Sequence, residues 1–262
     1  MRMRERMTGW ELLGLGLAGL ATFFGVWSLA AVAGLAPPQF LPPPWTVAQT
    51  FFDLTHEPFV GYTLQQHLLS SFMRFGMGFG LAVAIGVPLG LAMGWSPRFR
   101  SVVDPVLEFI RPIPPLAWIP LSILWFGIGD LQIVYIIFLA AFFPVVLNSL
   151  AGARDVDTYL VRAGLCLGAR PRELFVTVVL PAALPHVFTG MRIGLGIGWM
   201  ALVAGELVAA PSGLGYMINN ARTLFRSDYI LLGMVLIGAL GLVLDYLMRQ
   251  AARFAMPWHR GQ

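Results

Sequence analysis

The chain has 262 residues, of which 58% are hydrophobic and only 11% are charged, against about 25% charged in a typical soluble domain. All 17 basic residues are arginine, so the lysine of a GxxxxGK[ST] phosphate-binding loop is absent and that kind of nucleotide site is excluded. The single cysteine, Cys166, excludes an internal disulfide, and the four scattered histidines have no metal-ligand spacing. We therefore predict an integral membrane protein.

Long apolar runs cover most of the chain, and each is close to or above the ~20 helical residues that cross a bilayer. We predict a single transmembrane domain, 1–262, whose six spans are 10–33, 67–95, 107–128, 131–150, 186–208 and 229–248. A cleaved signal peptide is the alternative for the first run, because residues 31–33 mimic a cleavage site. That run is longer than the ~7–15 residues of a signal core, which favours a membrane helix.

The connections between the predicted spans differ in character. Residues 35–61 are rich in proline, which forbids a helix until about Trp45, and a short interfacial helix is expected from Thr46. Residues 98–105 are predicted to be a short polar loop and 209–228 a polar interval. Two glycine series inside spans predict close helix contacts. They are Gly76, Gly78 and Gly80, and Gly190, Gly194 and Gly198.

The third span is interrupted by four prolines, Pro112, Pro114, Pro115 and Pro120. Irregular backbone is tolerated at membrane depth only where it is buried in protein or lines a water-filled cavity. We therefore expect this span to line a pathway.

Residues 151–185 form the longest polar interval and are predicted to be a helix–glycine–helix hairpin. Asp157 caps the first helix, Gly168 closes it, and Pro171 and Glu173 open the second. The pair 180–181 (Leu-Pro) is expected to end the second helix. An ordinary interhelical loop is an equally good interpretation of this pattern alone.

The order of this hairpin resembles the cytoplasmic coupling loop of ABC-importer permeases, whose signature runs from Glu-Ala-Ala through Gly to Leu-Pro. Ala163, Gly164, Gly168 and the Leu-Pro pair stand at matching positions, with Arg162 in place of the family's Glu. The segment RPIPPLAWIPLSILWFGIGD resembles that of permeases for taurine and alkanesulfonates, and more loosely those for nitrate and bicarbonate. The resemblance implies these coupling residues: Tyr159, Leu160, Arg162, Ala163, Gly164, Leu167, Gly168, Ala169, Arg170 and Glu173.

Arginine placement indicates the orientation of the chain. With both termini in the cytoplasm, twelve arginines lie in inside segments and only Arg222 and Arg226 lie outside, which is a positive-inside bias. The hairpin then lies in the cytoplasm. The basic charge is explained by this topology, and nucleic-acid binding is not supported.

Six charged residues lie in or near the spans, where charges usually face a bundle interior or a pathway. They are Arg74, Glu108, Arg111, Arg192, Glu206 and Asp245. One interpretation is that they form ion pairs that stabilise helix packing, Glu108 with Arg111 for example. The other is that Arg74 or Arg111 attracts an anion. The candidate translocation path comprises Arg74, Arg111, Pro114, Pro115, Trp118, Arg192 and Glu206.

The resemblance implies an all-α membrane fold of the type I ABC importer permease, in the bacterial inner membrane, moving a small anion such as taurine or another sulfonate by alternating access. Nitrate, bicarbonate, an aromatic acid or a vitamin precursor are alternative cargoes. The implied partners are two ATPase subunits that hold ATP-Mg, an external solute-binding protein, a second copy of the chain and the lipid bilayer. The chain itself is expected to bind no cofactor. A stand-alone ion-coupled transporter that uses Glu206 is the alternative from another class, whereas an embedded enzyme lacks any catalytic cluster.

Overall fold

The computed structural model describes the backbone of residues 9–257 and the side chains of residues 14–257. Within that range the long elements are all helical, and strand-like pairing is limited to one isolated bridge between Phe59 and Tyr62. Arg2, Arg4, Arg6 and Arg260, which contribute to the positive-inside bias, lie outside the described residues.

Helices follow one another along the described chain, most of them separated by short turns. In order they are α1 (Gly9–Val32), α2 (Pro44–His56), α3 (Leu64–Trp95), α4 (Pro97–Ile110), α5 (Ile119–Phe126), α6 (Asp130–Arg154), α7 (Thr158–Cys166), α8 (Pro171–Leu174), α9 (Leu180–Ala209), α10 (Leu214–Thr223) and α11 (Ser227–Ala255). A 3₁₀ turn, Pro115–Trp118, precedes α5, and a π-helical segment, Phe175–Val179, joins α8 to α9.

Five described segments are long and apolar enough to cross a membrane, and they become six if the bent pair α4 and α5 counts as one broken span. The two halves of that pair meet at 82°. The single third span predicted at 107–128 is therefore two short helices. The prolines between Ile110 and Pro115 cause the break, since proline has no N–H to continue a helix.

The prediction of a polar loop at 98–105 is wrong, because these residues belong to α4. Ser96 acts as the N-cap, its hydroxyl accepting a hydrogen bond from the Phe99 N–H at 3.3 Å, and Pro97 occupies the first helical position. This is an ordinary start signal for a helix. The polar interval predicted at 209–228 likewise contains a helix, α10.

The described residues form two compact units, 9–64 with 217–235, and 65–216 with 236–257. In the first unit, α2 begins at Pro44, so the prediction that prolines delay the helix until about Trp45 is confirmed. The indole N–H of Trp27 on α1 donates to the Pro42 carbonyl at 3.1 Å and ties the proline connector to that helix.

In the second unit, α6 is the most buried of the apolar helices and packs along both α3 and α9. A Cβ added at Gly194 would lie 2.9 Å from the Ala141 carbonyl oxygen, and one at Gly190 would lie 2.6 Å from the Asn148 Cβ. The series Gly190, Gly194 and Gly198 is thus a close-packing face, as predicted. Of the other series, Gly78 meets α6, whereas Gly76 and Gly80 face open space.

The second helix of the hairpin does not end at residues 180–181. It runs from α8 through the π segment directly into α9, so the fifth span starts earlier than the predicted residue 186. Pro181 lies in the first turn of α9, directly after the π segment. The Leu180 N–H bonds to the Phe175 carbonyl five residues back, which is the π-type bond that joins this segment to α9.

Candidate functional site

The hairpin has the local geometry that its sequence predicts. The Asp157 carboxylate accepts from the Tyr159 N–H at 2.8 Å and caps α7. At the other end, the Gly168 N–H donates to Leu165 and the Ala169 N–H donates to Gly164, both at 3.0 Å. These two bonds form a Schellman motif, and Gly168 has the positive φ, 83°, that the motif requires.

The two helices of the hairpin touch at one small residue. Leu174 of α8 is 2% exposed, and its side chain packs so closely on Gly164 that a Cβ there would collide with the Leu174 Cδ2. The Glu173 carboxylate accepts from the Arg170 N–H at 2.9 Å and closes the start of α8. A larger residue at position 164 would therefore require the Leu174 side chain to shift.

The outer surface of the hairpin is apolar and unpartnered within the described chain. Tyr159 is 76% exposed and Leu167 is 88% exposed, and Leu160 and Leu165 are also more than half exposed. Large exposed apolar side chains clustered on one element mark a surface that contacts another protein or the membrane. All of the predicted coupling residues lie on α7, on its closing turn or at the start of α8.

A second constellation brings together two of the predicted path residues, Arg74 and Glu206. Arg74 lies on α3 and Glu206 on α9, and the Arg74 Nη1 is 2.9 Å from the Glu206 Oε1. Arg74 is 3% exposed and Glu206 is 1% exposed. A charge removed from water in this way is tolerated when it is paired and hydrogen-bonded.

Every oxygen of the Glu206 carboxylate has a donor. The Ser71 hydroxyl donates to Oε1 at 2.8 Å, and the Gly215 N–H donates to Oε2 at 2.9 Å. Gly213 reaches this carboxylate so closely, with φ of 115°, that any Cβ there would overlap the Glu206 side chain. The loop before α10 is therefore fastened to Glu206 by its own backbone.

Arg74 also makes contacts beyond Glu206. Its Nε donates to the Asp130 Oδ1 at 2.7 Å, its Nη1 donates to the Ser212 carbonyl at 2.6 Å, and its Nη2 donates to the Ser212 hydroxyl at 3.0 Å. Four of the five N–H groups of a guanidinium are thus used within the protein. We name this set of residues, Ser71, Arg74, Asp130, Glu206 and Ser212, the buried charge cluster.

Sequence reasoning misses part of the buried charge cluster. Asp130 is not among the charges expected in the spans, because it lies between the predicted third and fourth spans, whereas in the structure it is the first residue of α6. Ser212, Gly213 and Gly215 lie in the predicted polar interval, in a stretch, 211–216, that resembles the permease family, but the sequence does not connect them with Glu206. The signal that could find them is the combination of a lone buried Glu with a glycine-rich loop a few residues later, whose N–H groups can donate to it.

The broken span holds three further path candidates, Pro114, Pro115 and Trp118. The Ala117 N–H donates to the Pro114 carbonyl at 2.9 Å, which starts the 3₁₀ turn. Trp118 is partly buried and packs on the cluster around Ile119, Ile136 and Ala140. The backbone break is therefore held against α6.

The other two candidate charges lie apart from these. Arg111 ends α4 with an exposed side chain, and among the described residues no ion pair joins it to Glu108. Arg192 lies on α9 and forms an ion pair with Asp245 of α11 at 2.5 Å. It is about 20 Å along the helix from Glu206, so the prediction that these two are not one site agrees with the helix geometry.

Comparison with known proteins identifies relatives of this chain. Residues 86–255 match the family described as "Binding-protein-dependent transport system inner membrane component". The taurine transport system permease protein TauC of Escherichia coli K12 is 41% identical over 246 residues, which is 94% of this chain and 90% of that protein. The nitrate import permease protein NrtB of Synechococcus elongatus is 30% identical over 252 residues, 92% of this chain and 89% of that protein.

A solved structure has the same fold. The inward-facing MetNI methionine ABC transporter contains a chain that superposes with a TM-score of 0.63 at 19% identity, covering 73% of this chain and 95% of that one. The all-α architecture predicted from the sequence is thus also the fold of that chain. The chain belongs to the family of binding-protein-dependent transport system inner membrane components, and it is a multi-pass permease of an ABC importer of the taurine, sulfonate and nitrate group.

Proposed function

We propose that this permease moves taurine or another small sulfonate into the cytoplasm by alternating access, driven by ATP hydrolysis in separate ATPase subunits. The observation that carries the proposal is 41% identity to a taurine permease over nearly the whole chain. Two ATPase subunits, which hold ATP-Mg, an external solute-binding protein and a second copy of this chain complete the importer. The chain itself binds no cofactor in this scheme.

The hairpin supports a mechanical link to an ATPase. Its apolar outer surface, around Tyr159 and Leu167, would lie in a groove of the ATPase, and its second helix continues without interruption into α9. Because α9 packs along α6 through glycines, displacement of the hairpin would move both helices as one body. Closure of the ATPase pair would in this way reorient the spans.

The orientation follows from arginine placement. We propose that both termini and the hairpin lie in the cytoplasm, with the chain in the inner membrane of a bacterium. Loops near the spans carry most of their arginines on the same side as the hairpin, in keeping with the positive-inside rule.

Within the membrane, we propose that the path follows the broken span, with Arg111, Pro114, Pro115 and Trp118 lining it. Arg111 is exposed and, among the described residues, has no ion pair with Glu108, which leaves its guanidinium available to an anion. Arg74 and Glu206 neutralise each other, which favours a structural role beside the path. Arg192 is paired with Asp245 and takes no part in this proposal.

The test is uptake of labelled taurine into proteoliposomes that hold the permease with its ATPase and binding protein. Uptake should require ATP and should be inhibited by other sulfonates more strongly than by nitrate or bicarbonate. Arg111→Gln should lower the uptake rate at taurine concentrations below saturation. Arg98→Gln is the control, because Arg98 is also an exposed arginine but lies outside the proline break, and this variant should keep the wild-type rate. ATP-independent uptake by the permease alone would instead support the stand-alone transporter, and preference for nitrate would overturn the sulfonate assignment.

A further inference from the structure

A basic cleft lies between the first half of α9 and the last turns of α11, and none of its lining residues belongs to the buried charge cluster. It encloses about 330 Å³. Arg192 contributes from α9, and Arg249 and Arg253 contribute from α11, where they are one helical turn apart. We name it the α9–α11 cleft.

The charges of the cleft do not balance. Asp245 is the carboxylate that pairs with two of its arginines, although it does not line the cleft, and both of its oxygens are already used: Oδ1 by the Arg192 Nε at 2.5 Å, and Oδ2 by the Arg249 Nε at 2.9 Å. The side chain of Arg253 is exposed, and no ion pair to it is found in the described part of the chain. Three guanidinium groups against one carboxylate leave a surplus of two positive charges.

The two surplus positive charges repel each other. Arg249 and Arg253 are like charges at i and i+4 on one helix face, a spacing at which they repel each other. An anion bound between the two arginines reduces this repulsion. The planar guanidinium group can donate two parallel hydrogen bonds to two oxygens of a phosphate. The remaining N–H groups of Arg192 and Arg249, together with those of Arg253, are the donors for that anion.

The walls of the cleft are apolar. Phe188 of α9, Met248 of α11 and Met256, which directly follows α11, line it, and both helices are long and apolar enough to cross a membrane. A ligand there meets guanidinium groups near the end of α11 and hydrocarbon beside them. That combination of a charged head and an apolar body is the chemistry of a phospholipid.

We propose that the α9–α11 cleft binds the phosphate headgroup of an anionic phospholipid of the cytoplasmic leaflet. Basic pockets between transmembrane helices on the cytoplasmic side are suited to such headgroups. A free anion would not need the apolar walls, and a second protein copy would have to bury the two surplus charges against its own. The bound lipid would anchor the permease in the membrane whichever solute is carried.

The experiment is native mass spectrometry of the full-length permease in detergent, titrated with phosphatidylglycerol and, in parallel, with phosphatidylcholine of the same acyl chains. Phosphatidylglycerol should be retained preferentially, and Arg253→Gln should weaken its binding about fivefold, as expected for one arginine at a lipid surface. Arg98→Gln is the matched control, since it removes one exposed arginine on the same predicted side, and it should leave the binding unchanged.

Five results would overturn the assignment. The first four are equal retention of the two lipids, wild-type affinity in Arg253→Gln, an equal loss in Arg98→Gln, and displacement of phosphatidylglycerol by inorganic phosphate or taurine. The fourth of these would make the cleft a small-anion site. Lipid found on the monomer and absent from the dimer would likewise overturn the proposal, because a second copy would then cover the cleft. A thermal unfolding curve of each variant shows that it is folded, so that a loss of lipid binding is not caused by unfolding.

Discussion

The pairing of Arg74 with Glu206 makes the strongest prediction about stability. In Arg74→Met the Glu206 carboxylate stays buried with only the Ser71 hydroxyl and the Gly215 N–H as donors. Removal of one member of a buried ion pair costs about 3–5 kcal/mol, because the other charge remains desolvated. For a chain of this length that corresponds to a fall in melting temperature of about 6–20 °C.

The measurement is thermal unfolding of the purified permease in detergent, followed by intrinsic tryptophan fluorescence. Arg192→Met is the matched control. It also breaks an arginine–aspartate pair, but the Arg192 side chain is half exposed, so the loss should be at most about 1 kcal/mol. The double variant Arg74→Met/Glu206→Gln removes both buried charges and should lose less than the sum of its single variants, by roughly 0.5–3 kcal/mol. If Arg74→Met and Arg192→Met have the same melting temperature, burial does not determine how much each ion pair contributes to stability, and the prediction is wrong.

Three further predictions test single residues. Gly168→Pro should abolish ATP-driven uptake while the chain remains folded in the membrane, because proline cannot adopt a φ of 83°, and uptake at the wild-type rate would refute the coupling role of the hairpin. Gln132→Leu should raise the free energy of unfolding by roughly 1 kcal/mol, since both side-chain polar atoms of Gln132 are buried without a partner in the described part of the chain; an unchanged or lower melting temperature would contradict this. Gly194→Val should lower the stability by about 1–3 kcal/mol through overpacking against Ala141, whereas Gly196→Val, which faces open space, should not, and equal melting of the two variants would argue against the close contact.

Much of the fold follows from patterns that act locally. The hairpin is a good case, because Asp157, Gly168 and Pro171 each dictate a cap, a turn or a helix start within a few residues. The apolar runs likewise predict spans, since the bilayer sets their length.

What the sequence could not supply is long-range geometry. Arg74 and Glu206 are 132 positions apart, and only the packing of α3 beside α9 shows that they meet. The prolines predict that the helix breaks between α4 and α5. They do not predict the bend of 82°, because that angle depends on the backbone conformation of the residues around them. The helix α4 escapes prediction for a different reason: its polar residues suggest a loop, although Ser96 and Pro97 form a standard helix start.

The π segment between α8 and α9 has a consequence for the direction in which the hairpin faces. A π turn of this kind amounts to one residue inserted into an α-helix, and each residue turns an α-helix by about 100°. The segment Phe175–Val179 therefore sets the rotation of the hairpin about the axis of α9. The one inserted residue of the π segment thus determines the direction that Tyr159 and Leu167 face relative to α9. Loss of a single residue there would leave both helices intact and rotate the exposed apolar surface of the hairpin by about a quarter of a turn relative to α9.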